Sequence, residues 1–86
     1  MESFEGRLAV VTGGGSGMGR ELVVQLAGAG ASVATCDVNA TGLEGTAEKA
    51  RDAAGDDVRV TTHGCDVSDA DAVDAFAAEV LDQHAT

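Results

Sequence analysis

The stretch Val10-Val11-Thr12-Gly13-Gly14-Gly15-Ser16-Gly17-Met18-Gly19-Arg20 constrains this 86-residue chain more than any other, because an apolar run passes through clustered glycines into an amphipathic segment. That order reads as a strand, a tight turn and a helix. Glycines suit the turn for two reasons. The chain must take backbone angles that a Cβ would forbid, and it must come close to a bulky group. A helix starting near Gly17 aims its unpaired N–H groups and the positive end of its dipole at whatever sits on the turn, which fits a pyrophosphate.

The glycine spacing is G-x-x-x-G-x-G at Gly13, Gly17 and Gly19, and no G-x-G-x-x-G/A register fits the cluster. A triphosphatase phosphate loop is a near miss: four residues separate Gly14 from Gly19, but Arg20-Glu21 stand where Lys and Ser/Thr are required. Nucleotide hydrolysis is therefore disfavoured. Met18, Leu22, Val23, Leu26 and Ala27 recur at three- and four-residue steps, which predicts a helix closed by Gly28-Ala29-Gly30. A second strand is expected over 31–36. It stops at Asp37, eighteen positions after Gly19, near where a dinucleotide fold puts an acid on the adenosine ribose.

With Thr12-Gly13-x-x-x-Gly17-x-Gly19 and Asp37 in place, the chain resembles the cofactor-binding start of the short-chain dehydrogenase/reductase family. The resemblance implies that Thr12, Gly13, Gly15, Ser16, Gly17, Met18 and Gly19 form the cofactor loop, with Asp37 and Val38 beside the adenosine. A carboxylate at Asp37 can accept from both ribose hydroxyls and repel the 2′-phosphate of NADP, so NAD is the expected cofactor. Ser16 agrees, since NADP-using relatives often carry a basic residue there. Arg20 points the other way but reads as an exposed structural Arg within the helix. The third strand, expected over 58–63, leads through Gly64-Cys65 into Asp66-Val67, which resembles the family's adenine-holding Asp-Val step.

Strand, helix, strand, helix, strand and helix alternate after a short polar arm over 1–6, which predicts an α/β fold: a Rossmann-type parallel sheet with crossover helices. Only the N-terminal βαβαβα part of such a domain is expected. Residues 1–86 then form a partial dinucleotide-binding domain, with the catalytic C-terminal portion outside it. Thr41-Gly42-Leu43-Glu44 reads as a capping box for the second helix, whose Leu43, Ala47, Ala50 and Ala54 share a face. Ser68-Asp69-Ala70-Asp71 reads as a similar box opening the third, whose buried stripe is expected at Val73, Phe76, Ala77, Val80 and Leu81. The apolar first strand, over 8–11, is expected to be central in a strand order of 3-2-1-4. Without the fourth strand it becomes an edge, and the chain alone is expected to self-associate or to be unstable.

Hydrophobic residues make up 44%, enough for a globular segment, and no window approaches the roughly 20 apolar residues of a membrane span. Met1-Glu2-Ser3-Phe4-Glu5 lacks a basic start and an apolar core, so a cytoplasmic location is expected. A formal net charge of −10 argues against nucleic acid or an anionic membrane as partner. Cys36 and Cys65 read as reduced core thiols. Together with His63 and His84 they lack metal-ligand spacing, so no metal is expected.

Family members transfer hydride between a nicotinamide and a carbonyl or alcohol, using a Tyr acid/base, a Lys that lowers its pKa, a Ser and an Asn. No catalytic residue can be placed here: the chain has no Tyr, and its only Lys, Lys49, lies among acidic neighbours on the second helix. The expected function is thus the NAD(H)-binding portion of such an oxidoreductase, inactive on its own. Its small-molecule substrate is met only by the missing portion, and a homo-oligomer is expected. The alternatives are a non-catalytic nucleotide-binding module and a remnant that serves only for association.

Overall fold

The computed structural model describes residues 4–84. In chain order they form β1 (Leu8–Thr12), α1 (Gly17–Gly28), β2 (Ser32–Asp37), α2 (Ala40–Ala53), β3 (Val60–Gly64) and α3 (Ala70–His84). All three strands are parallel, in the order β1-β2-β3, with Val10 opposite Ala34 and Cys36 opposite His63. This is the expected Rossmann-type βαβαβα arrangement, with helices on both faces of the sheet.

The central strand β2 buries Val33, Ala34, Thr35 and Cys36 on consecutive positions, as a parallel strand covered on both faces must. On one face Val11, Val33 and Val60 pack under Val23 and Ala27 of α1 and Ala47 and Ala50 of α2. On the other, Ala34, Cys36 and Cys65 pack under Phe76 and Val80 of α3. The small α1 and α2 side chains let both helices lie close to the sheet. Thr35, the polar member of the run, is satisfied because its hydroxyl donates to the Val11 carbonyl at 2.7 Å.

Several local expectations are corrected. The N-cap of α2 is Asn39, whose side-chain oxygen accepts from Gly42 N–H at 3.0 Å, and the helix begins at Ala40, ahead of the Thr41 box. At the start of α3 Asp69 is the capping side chain, accepting from Asp71 N–H at 3.0 Å and more weakly from Ala72 N–H at 3.4 Å. Ser68 instead donates back to Asp66. On α1 only Val23 and Ala27 are fully buried, whereas Met18 is 90% exposed and Leu22 is exposed, because their shared face looks away from the sheet. On α3 the stripe reduces to Phe76 and Val80, and Val73, Ala77 and Leu81 are exposed beside an open edge. Of the expected arm, residues 1–3 lie outside the described residues. Phe4 N–H donates to the Ala29 carbonyl at 3.0 Å, and Arg7 N–H closes a turn onto the Phe4 carbonyl at 3.1 Å.

Between β3 and the C-terminal half of α3 runs a chain of polar side chains. His63, fully buried and tilted against the Phe76 ring at 5.1 Å, faces Glu79 through Nδ1 at 3.2 Å and Thr61 through Nε2 at 2.9 Å. The same Thr61 hydroxyl meets His84 Nε2 at 2.6 Å. Arg59 donates to the Gln83 carbonyl. Burial, then electrostatic interaction with Arg59 and His63, holds the His84 pKa below the ordinary histidine value.

Candidate functional site

At the C-terminal ends of the strands, the turn from β1 to α1 is built by glycines with distinct tasks. Gly13 and Gly17 sit at φ +73° and +58°, left-handed angles that cost a side chain but not glycine. A Cβ on either would project into open space, so their requirement is conformational. Gly14, Gly15 and Gly19 are needed for close approach. A Cβ on Gly19 would lie 2.1 Å from the Gly13 carbonyl oxygen, one on Gly14 1.8 Å from the Thr35 hydroxyl, and one on Gly15 2.7 Å from Asp37 Oδ2.

The loop is pinned to the end of β2. Gly13 and Gly14 N–H both donate to the Cys36 carbonyl, at 2.8 and 3.1 Å, and Gly15 N–H donates to Asp37 Oδ2 at 2.9 Å. The other Asp37 oxygen accepts from Asn39 N–H at 3.2 Å. These N–H groups, Gly15 foremost, hold the Asp37 carboxyl below its ordinary pKa. It is therefore an anion fixed in orientation beside the loop. Ser16, the N-cap residue of α1, makes no side-chain cap hydrogen bond, so its side chain does not occupy the first-turn N–H groups at Gly17, Met18 and Gly19, which lie at the positive end of the helix dipole.

The remaining predicted residues fall on the same edge of the sheet. Thr12 ends β1 opposite Cys36, and exposed Val38 follows Asp37. Asp37 pairs in register with Gly64, and Cys65 N–H donates to the Asp37 carbonyl at 3.2 Å, so the chain leaving β3 runs beside the chain leaving β2. Asp66 and Val67 come next and are exposed. Asp66 Oδ1 accepts from the Ser68 hydroxyl at 2.7 Å and from Ser68 N–H at 2.9 Å, and both lower its pKa. Cys36 and Cys65 are free and buried beneath this edge. Burial, and next its neighbour Cys65, pushes the Cys36 thiol up to about 11, so it stays protonated and chemically quiet.

Two residues around the loop were misread or missed from the sequence. Arg20, expected to be exposed, is half-buried: its Nη2 donates to the carbonyls of Gly15 and Gly42, and its Nε to the Thr46 hydroxyl, each at 2.9 Å. Fully buried Thr46 in turn donates to the Gly14 carbonyl at 2.6 Å. Partners 26 and 32 positions apart leave no periodic trace. The one available sign was that Thr46 lies on the apolar face of α2 between Leu43 and Ala47, where a polar residue needs a partner.

A strand, a glycine turn, an uncapped helix start and an acid at the end of the next strand define a dinucleotide-binding fold of the Rossmann class. The family model described as short chain dehydrogenase matches residues 7–86, and the chain belongs to that family. It is 41% identical over 73 residues to levodione reductase of Leifsonia aquatica, covering 85% of this chain and 27% of that protein. It is 37% identical over 79 residues to human epidermal retinol dehydrogenase 2, covering 92% of this chain and 25% of that protein. A crystal structure of levodione reductase superposes with a TM-score of 0.88 at 38% identity, over 93% of this chain and 31% of that one. A crystal structure of NAD⁺-bound xylitol dehydrogenase gives 0.87 at 28% identity, over 95% and 30%. The chain thus spans about a quarter to a third of the length of these relatives. Among the described residues no helix is long and apolar enough to cross a membrane.

Proposed function

We propose that residues 1–86 are the partial dinucleotide-binding domain of an NAD(H)-dependent short-chain dehydrogenase/reductase, an oxidoreductase acting on CH–OH groups or carbonyls. The observation that carries this reading is the Asp37 carboxylate fixed by Gly15 N–H beside the uncapped start of α1. The N–H groups of Gly17, Met18 and Gly19 would hold the pyrophosphate, with Thr12, Gly13, Gly15 and Ser16 shaping the loop around it. Asp37 would accept from the ribose hydroxyls while Val38, Asp66 and Val67 flank the adenine.

The cradle has room for such a group, since the Cβ directions of Gly13 and Gly17 meet nothing within 4 Å, while those of Gly15 and Gly19 are closed by Asp37 and by the loop itself. Asp37 keeps its charge at neutral pH and faces the ribose with an acceptor, which favours NAD over NADP through repulsion of a 2′-phosphate. The bound cofactor supplies the hydride donor or acceptor, and the catalytic acid/base and substrate contacts belong to chain beyond residue 86. The xylitol dehydrogenase structure carries NAD⁺, which supports the choice of cofactor. On the same reading the working enzyme is a cytoplasmic homo-oligomer. Calorimetric titration with NAD and NADP is the test: micromolar NAD binding with weaker NADP is expected, and preference for NADP would overturn the assignment of Asp37.

A further inference from the structure

Arg20 combines a half-buried guanidinium with an absence of acidic partners among the described residues: its three hydrogen bonds go to the Gly15 and Gly42 carbonyls and the Thr46 hydroxyl, all neutral. Thr46, with no exposed surface, accepts from Arg20 Nε and donates to the Gly14 carbonyl at 2.6 Å, with the Gly42 carbonyl at 3.0 Å as the alternative acceptor. α2 is pressed against the loop at this point. A Cβ on Gly42 would lie 2.3 Å from the Gly15 carbonyl oxygen, and one on Gly45 would lie 3.3 Å from Arg20 Nη2.

Each peptide has two polar ends, so fixing the carbonyls of Gly14 and Gly15 from the α2 side fixes which way the adjoining N–H groups point. On the opposite side Gly15 N–H is already held by Asp37. We infer that Arg20 and Thr46 are positioning residues: they clamp the outer carbonyls of the glycine loop to α2 and so preset its geometry for a dinucleotide pyrophosphate. Two of the Arg20 bonds come from one nitrogen and the third from Nε, a fork that a Lys ammonium does not reproduce. Because the guanidinium is committed to the loop and to Thr46, the clamp also keeps it from turning toward a 2′-phosphate.

The inference rests on the cofactor reading above, and two readouts separate them. In the intact chain, hydrogen–deuterium exchange over the peptide Gly13–Gly19 reports loop order without ligand, and NAD titration reports binding. Thr46→Val and Arg20→Lys should each speed exchange in that peptide, leave exchange in β2 and β3 unchanged, and weaken NAD about tenfold. Thr46→Ser should restore both readouts to within twofold of the wild type. NAD affinity within twofold of wild type in both disruptive variants overturns the clamp, as does faster exchange spread evenly over the chain. Should the wild-type chain fail to bind NAD, the cofactor reading falls and loop exchange alone decides: faster in the variants upholds the clamp, unchanged overturns it.

Discussion

Asp37 carries two duties that a single substitution exposes together. Its Oδ2 holds the Gly15 N–H and its Oδ1 the Asn39 N–H, so truncation frees the loop as well as removing the anion. Hydrogen bonds to a charged group contribute about 1.5–3 kcal/mol each, so Asp37→Ala should weaken NAD by roughly 10- to 100-fold while changing NADP far less. Paired titrations with both cofactors check this, and a preserved NAD/NADP ratio would refute the role given to Asp37. Gly17→Val should abolish binding of both, since it places a β-branched side chain at φ +58° on the surface where the pyrophosphate would lie. Gly19→Ala acts differently. Its Cβ meets the Gly13 carbonyl at 2.1 Å, so it should cost stability, about 1–3 kcal/mol by urea denaturation, before any effect on ligand is considered.

Helix starts and buried polar chains belong to the scale of elements, where sequence reading was least secure. The glycine cluster, the apolar runs and the 3.6-residue periods made all six elements legible, with strand ends off by one or two positions. Which capping residue wins was not legible: Asn39, Thr41 and Ser68, Asp69 are all good cap types within a few residues, and backbone geometry chooses among them. Asn39→Ala should therefore destabilise the chain by about 1 kcal/mol, whereas Thr41→Ala should stay within about 0.5 kcal/mol, and equal effects in chemical denaturation would contradict the observed cap. The link of β3 to α3 gives a pH dependence. His84 has a lowered pKa in the fold, so the unfolded chain takes up its proton first, and stability is lost as pH falls below about 6.5. Denaturation midpoints at pH 7.5 and 5.5 should differ in the wild type and differ less in His84→Gln. An identical drop in that variant would assign the effect to other groups.

At the scale of the whole molecule both β1 and β3 are edges of the three-stranded sheet, and the β1 side is the one that leaves large apolar side chains exposed. β1 is an edge of the three-stranded sheet, yet Leu8 and Val10 expose 45% and 54% of their surface toward an apolar groove of about 640 Å³ completed by Val67, Val73, Phe76 and Leu81. An edge strand with this composition is a template for pairing, and among the described residues Thr12 is the one polar side chain lining the groove. The relatives are three to four times longer, and the strand order 3-2-1-4 expected from the sequence would place a fourth strand beside β1, at this groove. For residues 1–86 alone the groove must be covered some other way or left wet. Burying these partly exposed side chains is worth roughly 1 kcal/mol each, a sum comparable with the lower end of the roughly 4–15 kcal/mol that association costs. Self-association should therefore be weak and concentration dependent. Sedimentation velocity on this chain should show the mean sedimentation coefficient rising with loading concentration, and Val10→Lys together with Leu81→Glu should abolish the rise by charging the edge and the groove. A wild-type chain that stays a monodisperse monomer at every concentration and melts in one cooperative step would show that the open face is tolerated as it stands.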